Sequence, residues 1–423
     1  MTSPSPALQR RLGVGGAVVI GLASMIGAGV FSAFAPAAAA AGPWLLLGLA
    51  IAAFVAYANA TASARLAARH PVSGGTYAYG RERLGAWWGF AAGWSFVIGK
   101  TASCAAMAFT VAAYTVPPAW QRPVAVAAVL IVSLVDFFGV TKTVVAAAVL
   151  VAIVLATLVL VVGSGATALV HPLAGAAPAG PYGVLQSAGI LFFAFAGYAR
   201  IATLGEEVRD PARTIPRAIP LALAITLVVY AALAVVLLRD LGAPALARSS
   251  APLADVVRAT LGGGWPLVVG VGAVAGALGS LLSLIAGIGR TSLAMARSGD
   301  LPRPLARVHG RFGTPHIAQL VVTIAVVLLL ALGDLRGAIG FSSFGVLLYY
   351  AIANLSAMTL DPERRGRRIL PVAGLVGCVV LALTLPWPSI AIGAGVLAVG
   401  LLARLVVVSV RASRSRPPRS PRA

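Results

Sequence analysis

Apolar stretches of about twenty residues recur along the whole chain, and nothing else in the sequence constrains the fold as strongly. Trp44 to Ala58, Pro123 to Val135, Val144 to Val162 and Ile219 to Leu238 approach or reach the length that crosses the hydrocarbon core of a bilayer as helix. A soluble domain needs roughly a quarter of its residues charged. Here 10% are charged and 60% are hydrophobic. Hydrocarbon as solvent removes that conflict, and because unpaired backbone amides are costly there, apolar spans of this length must be helices. The expected fold class is an all-α integral membrane protein.

Apolar runs between polar or Pro/Gly breaks define about twelve spans, near 14–40, 44–64, 85–114, 121–139, 143–164, 183–205, 217–239, 265–297, 316–334, 336–357, 368–386 and 388–409. The divisions at Gly333 to Arg336 and at Pro386 to Pro388 are short. Orientation follows from the basic residues, which collect in short cytoplasmic loops. Arg10 and Arg11 precede span one; Arg65, Arg69, Arg81 and Arg83 follow span two; Lys142 follows span four. Arg209, Arg213 and Arg217 follow span six; Arg297, Arg303, Arg307 and Arg311 follow span eight; Arg364, Arg365, Arg367 and Arg368 follow span ten. The intervening loops are poorer: Gly163 to Gly183 has no Lys or Arg, and Leu241 to Gly264 offsets Arg248 and Arg258 with Asp255. Both termini are therefore expected in the cytoplasm. The first span is too long for a signal peptide and lacks a small-residue cleavage site, so it is expected to be retained. Arg far outnumbers Lys, a hint of a GC-rich bacterial genome, which suits a bacterial inner membrane.

The formal charge of +21, from 32 basic and 11 acidic residues, has no soluble module on which nucleic acid could bind. It suits basic loops against lipid headgroups, and the Arg-, Ser- and Pro-rich tail is expected to be disordered and held loosely by anionic lipid. Cys104 and Cys378 lie in apolar segments and read as packing residues. The four histidines, His70, His171, His309 and His316, fall in loops or at a span edge without metal-ligand spacing. No nucleophile–base constellation is visible, so no enzyme activity, metal or cofactor is expected. No repeated carbonyl-filter motif and no ring-forming acidic segment points to a channel.

Span one carries Gly21, Gly27 and Gly29 near its middle, within Gly21-Leu22-Ala23-Ser24-Met25-Ile26-Gly27-Ala28-Gly29-Val30-Phe31. Each Gly costs a helix interior about 1 kcal/mol relative to Ala. Two readings fit: close helix packing through small residues, or an unwound helix whose freed N–H groups face a cavity and bind an anion. Span six, Phe192-Phe193-Ala194-Phe195-Ala196-Gly197-Tyr198-Ala199-Arg200, also places aromatics and a Gly at mid-span. The two spans lie five apart, and an odd repeat inverts topology, as paired broken helices around a midplane site require.

Four segments then resemble those of the amino acid-polyamine-organocation superfamily of permeases, nearest to its amino-acid permease branches. They are Gly21 to Phe31; Pro71 to Tyr79 leading to Gly93-Trp94; Thr203 to Glu207 with Asp210-Pro211 and Thr214 to Ala218; and Arg290 to Pro302 with Gly313-Thr314-Pro315. The resemblance implies a five-plus-five inverted repeat, residues 14–164 and 183–357, with accessory helices over 368–409, a short cytoplasmic segment before residue 14 and a tail over 410–423. It implies a secondary transporter that moves an amino acid by alternating access, with an amine or polyamine as the alternative cargo. Carried over by position, the backbone at Ser24, Met25, Ile26, Gly27, Ala28 and Gly29 would hold the substrate carboxylate. That at Phe193, Ala194 and Phe195, beside Gly197, would meet the amine, and Phe195 would cover the substrate.

At the cytoplasmic face Arg65, Arg69, Arg290 and Arg297 could pair with Glu206, Glu207 or Asp300 as gate structure; Glu206, Glu207 and Arg290 are the gate candidates. Transport is expected to be either coupled to an ion, H+ or Na+, or an exchange. Lys100, centred in span three, is the ionisable candidate, although it could instead hold carbonyls freed by the breaks. Backbone carbonyls near Ser24 with Ser280 or Ser283 would suit sodium. The sequence departs from proton-coupled relatives in two places. Ile153 or Val154 stands where a span-five Lys is common, and Ala199, followed by Arg200, stands where an acidic residue often follows the span-six glycine.

Overall fold

A computed structural model describes residues 12–70, 74–139, 144–165, 180–202, 208–360 and 365–414. Among these the chain is helical, with one isolated backbone bridge between Leu12 and Val208. The helices are α1 (Val14–Met25), α2 (Ala28–Ser32), α3 (Phe34–Ala41), α4 (Leu45–Arg69), α5 (Thr76–Arg83), α6 (Ala86–Thr115), α7 (Gln121–Phe137), α8 (Val144–Gly165), α9 (Pro181–Phe195), α10 (Ala199–Ala202), α11 (Pro211–Asp240), α12 (Gly242–Arg248), α13 (Pro252–Leu261), α14 (Trp265–Arg297), α15 (His316–Leu332), α16 (Leu335–Met358), α17 (Ile369–Thr384) and α18 (Trp387–Arg414).

Ten of the described helical segments are long and apolar enough to cross a membrane. The shorter apolar α15 and the interrupted pair α9–α10 occupy the remaining two expected spans, so the described residues are consistent with about twelve membrane helices. One boundary moves and three short helices stand between spans. Span two continues to Arg69, which places Arg65 and Arg69 on helix α4, not in a loop. The short α5 precedes span three, and α12 and α13 lie between spans seven and eight. The divisions at Gly333 to Arg336 and Pro386 to Pro388 are real: Asp334 caps α16 by accepting the Gly337 amide at 2.7 Å, and α18 begins at Trp387.

Leu332, Leu267, Ile369 and Val145 stand largely exposed on outer helix faces. In water such surfaces would drive association; against acyl chains they match their solvent. The core lies instead around α6 and α16, each about 83% buried over its most apolar window, whereas α18 is about 17% buried. The accessory helices therefore stand at the rim, and the broken helices lie against the most buried part of the bundle.

Candidate functional site

Span one unwinds where its glycines cluster. Ile26 (φ −83°, ψ 58°) and Gly27 (φ −114°, ψ −138°) leave helical geometry between α1 and α2. Close approach explains why position 27 has no side chain: a β-carbon there would sit 2.1 Å from Ser280 Oγ and 3.0 Å from Ser280 Cβ on α14. Span six loosens at Ala196–Tyr198, a 3-10 turn between α9 and α10. Phe193, Ala194 and Phe195 are the last helical residues before that turn, so the span-six break begins one residue beyond the segment expected from sequence.

The two breaks meet backbone to backbone. A β-carbon at Gly197 would lie 2.2 Å from the Ser24 carbonyl oxygen and 2.6 Å from Met25 N, and one at Gly29 would lie 2.6 Å from Ala194 Cα. Met25, Ile26, Ala28, Phe195 and Tyr198 are all buried, so the contact lies inside the bundle.

Unwinding frees backbone carbonyls, and buried polar groups need partners. Tyr230 on α11 supplies one hydroxyl to both breaks, 2.7 Å from the Met25 carbonyl and 3.1 Å from that of Ala194. Lys100, central in α6 and buried, donates to the Ala196 carbonyl at 3.3 Å, as does the Tyr350 hydroxyl. Tyr350 is in turn stacked on Tyr198, ring centroids 4.9 Å apart. Behind it Asn354 donates to Asn59 Oδ1 at 2.6 Å and to the Tyr350 carbonyl at 2.9 Å, and Asn59 meets Cys378 Sγ at 3.2 Å. Cys378 is thus a polar contact as well as a packing residue. Among the described residues no carboxylate lies within ion-pair distance of Lys100; Asp136, the only carboxylate in the neighbouring spans, accepts from Gln319.

Ser280 Oγ lies 3.2 Å from the Ala23 carbonyl, beside the span-one break, and Ser283 follows one turn along α14, half-buried. Ser24 Oγ bonds the Ile20 carbonyl within its own helix at 2.9 Å. A β-carbon on Gly276 would touch Val154 at 3.2 Å and come within 3.6 Å of the Ile26 carbonyl. The aliphatic Val154 therefore stands beside the same break.

Phe195 packs its ring 5.1 Å from that of Tyr230, fully buried. At the end of the bundle away from Leu12, the Tyr114 hydroxyl reaches the Phe31 carbonyl at 2.9 Å and accepts from the Leu253 amide at 3.4 Å, joining α2, α6 and α13 over the break. At the other end, Arg209 N donates to the Leu12 carbonyl at 2.8 Å.

Glu206 and Glu207 lie outside the described residues, as do Lys142, Pro71 to Ser73, His171 and the tail beyond Arg414. Arg290 is exposed. The expected partners of Asp300 are corrected: Arg404 on α18 (2.6 Å) and Arg81 on α5 (3.0 Å) hold its carboxylate, with Tyr77 donating at 2.9 Å, and not Arg65, Arg69, Arg290 or Arg297. Burial pushes the Tyr77 phenol above its ordinary pKa, which keeps its proton available for Asp300. Arg65 instead donates to the Arg367 carbonyl at 2.9 Å. Sequence reading did not reach Tyr230, Tyr350 or Tyr114. For Tyr230 and Tyr114 the available signal was a lone phenol in an aliphatic run, since a buried Tyr hydroxyl usually has a partner.

A family model described as amino acid permease matches residues 16–410. An uncharacterized transporter of Mycobacterium tuberculosis (strain ATCC 25618 / H37Rv) is 60% identical over 402 residues, covering 94% of this chain and 91% of the relative. A branched-chain amino acid permease of Bacillus subtilis (strain 168) is 23% identical over 423 residues, 92% of this chain and 91% of the relative. Cationic amino acid transporter 7, chloroplastic, of Arabidopsis thaliana is 29% identical over 367 residues, 79% of this chain and 63% of the relative.

Proposed function

This chain belongs to the amino acid permease family, and from that premise we propose that it is a secondary active carrier that moves an amino acid across a bacterial cytoplasmic membrane by alternating access, with both termini in the cytoplasm. The observation that carries this reading is the backbone contact between the two mid-membrane breaks, Ser24–Met25 against Gly197. N–H groups at the start of α2, at Gly27, Ala28 and Gly29, favour a carboxylate, and carbonyls around Ala194 to Ala196 favour an ammonium. In this conformation Tyr230, Tyr350 and Lys100 occupy those carbonyls, so substrate entry exchanges these internal hydrogen bonds for bonds to the substrate's amine. The five-plus-five repeat of residues 14–164 and 183–357 would supply the pivot.

Coupling follows from the same contacts. Lys100 bonds a carbonyl of the break itself, so loss of its proton would exchange a charge-assisted bond for the weaker one of a neutral amine and loosen the α9–α10 junction. That juxtaposition favours a proton as driving ion. A second reading, sodium between α1 and α14, draws on the 3.2 Å approach of Ser280 Oγ to the Ala23 carbonyl. Counterflow of a radiolabelled amino-acid panel into proteoliposomes tests the carrier: saturable exchange is expected, while unsaturable flux would indicate a channel and absence of exchange would refute the reading.

A further inference from the structure

A cavity of about 380 Å³ opens at the end of the bundle away from Leu12. Ser32 and Pro36 of the broken first span form one wall, and Arg122, Arg248, Asp334 and Arg336 form another. Its size falls in the range of small-molecule sites, roughly 300–1,000 Å³.

The charges in it do not cancel. Asp334 spends Oδ1 on the α16 cap, and among the described residues no ion pair joins it to any of the three arginines. Asp255 was expected to offset both Arg248 and Arg258; the structure assigns it to Arg258 and to the Ser249 hydroxyl, which leaves Arg248 without it. Among the described residues Arg122 reaches the Gly333 carbonyl alone, at 3.5 Å, and Arg336 bonds the Ala247 carbonyl. Carbonyls orient a guanidinium without neutralising it, and each Arg carries five N–H donors. The cavity therefore holds three cations and one anion.

Basic residues concentrate at the cytoplasmic ends of membrane helices. Three arginines converging at the other end serve no topological purpose, and a cleft lined by one sign of charge concentrates ligands of the opposite sign. The cavity also adjoins the proposed substrate site. Ser32 ends the five-residue α2 that begins beside Gly27, and its hydroxyl bonds the Ala28 carbonyl at 2.7 Å.

We propose that this cavity is an entry vestibule that captures the carboxylate of an incoming neutral or acidic amino acid between Arg122, Arg248 and Arg336, and that it disfavours cationic substrates. The proposal rests on the carrier reading and on cytoplasmic termini. Arg pairs with carboxylate through two parallel N–H···O bonds, so the vestibule presents the substrate by that end to the N–H groups of α2.

The test is uptake of neutral, acidic and cationic amino acids into proteoliposomes at low and high salt, for the full chain and for the triple variant Arg122→Gln, Arg248→Gln, Arg336→Gln. For wild type, KM for neutral and acidic substrates should rise several-fold with salt as screening grows. The triple variant should show KM raised about tenfold at low salt, little salt dependence and Vmax within about twofold. A triple Arg→Lys variant should stay nearer wild type. If the triple variant does not fold, Arg248→Gln alone should show the same change in kind. Unchanged KM and salt response would overturn the vestibule while leaving the carrier intact, whereas wild type that exchanges no amino acid would refute the carrier and the vestibule with it. An effect confined to vesicles containing anionic lipid would assign the arginines to headgroups and overturn the proposal.

Discussion

At the residue scale the account turns on Gly27, because Ser280 occupies the space a side chain would need. Gly27→Ala should therefore cut uptake strongly, and Ser280→Gly in the same chain should restore part of it by clearing the obstruction. Radiolabelled uptake at equal membrane abundance checks this; failure of the double variant to exceed Gly27→Ala would mean that position 27 acts through its own flexibility. Phe195 makes a second case. It is proposed as the aromatic cover and lies against Tyr230, which itself bridges both breaks. Phe195→Ala should raise the KM for uptake by more than Phe193→Ala does, and an unchanged KM would return Phe195 to ordinary packing. The glycines were legible in sequence because a costly residue repeated at mid-span needs a reason. Tyr230 was not, because its partners lie 205 and 36 residues away and only the folded bundle joins them.

At the element scale, a buried ionic and aromatic cluster helps to attach the accessory helix α18 to the transport core, beside the bond from Trp94 Nε1 to the Val396 carbonyl at 3.0 Å. Arg404 sits over the rings of Trp87 (5.1 Å) and Phe90 (4.7 Å) and pairs with Asp300, at the end of α14. Arg404 and Asp300 have side chains 7% and 5% exposed, whereas Arg81 is 39% exposed. Breaking a buried pair by removing one partner typically costs about 3–5 kcal/mol, while an exposed pair contributes about 0–1 kcal/mol. Asp300→Ala, which strands Arg404, should lower the thermal unfolding midpoint in detergent by much more than Arg81→Ala. Equal shifts would show that the exposed pair carries the attachment. The sequence placed Asp300 correctly in a basic loop after span eight but paired it with arginines of nearby loops. The true partners, on α5 and α18, become neighbours only when the last helix returns to the bundle.

At the scale of the whole molecule, about twelve membrane helices and two breaks five spans apart were readable from apolar periodicity and glycine placement, since bilayer thickness fixes one and backbone cost the other. The ligands of the freed carbonyls were not readable, because hydrogen bonds between spans leave no spacing in the sequence. Lys100 shows both sides: its central position marked it out, and its Ala196 partner emerged only in the fold. An inward proton gradient without sodium should drive uptake in wild type, and Lys100→Ala should lose that response while keeping some exchange. Strict sodium dependence, or proton-driven uptake surviving in Lys100→Ala, would transfer coupling to Ser280 and the α1 carbonyls. The central claim, that an amino acid crosses at the paired breaks, is tested most directly by counterflow in proteoliposomes with wild type and Gly27→Val side by side. Saturable exchange of an amino acid by wild type and its loss in a normally inserted Gly27→Val protein is the predicted result; equal exchange by both would contradict it.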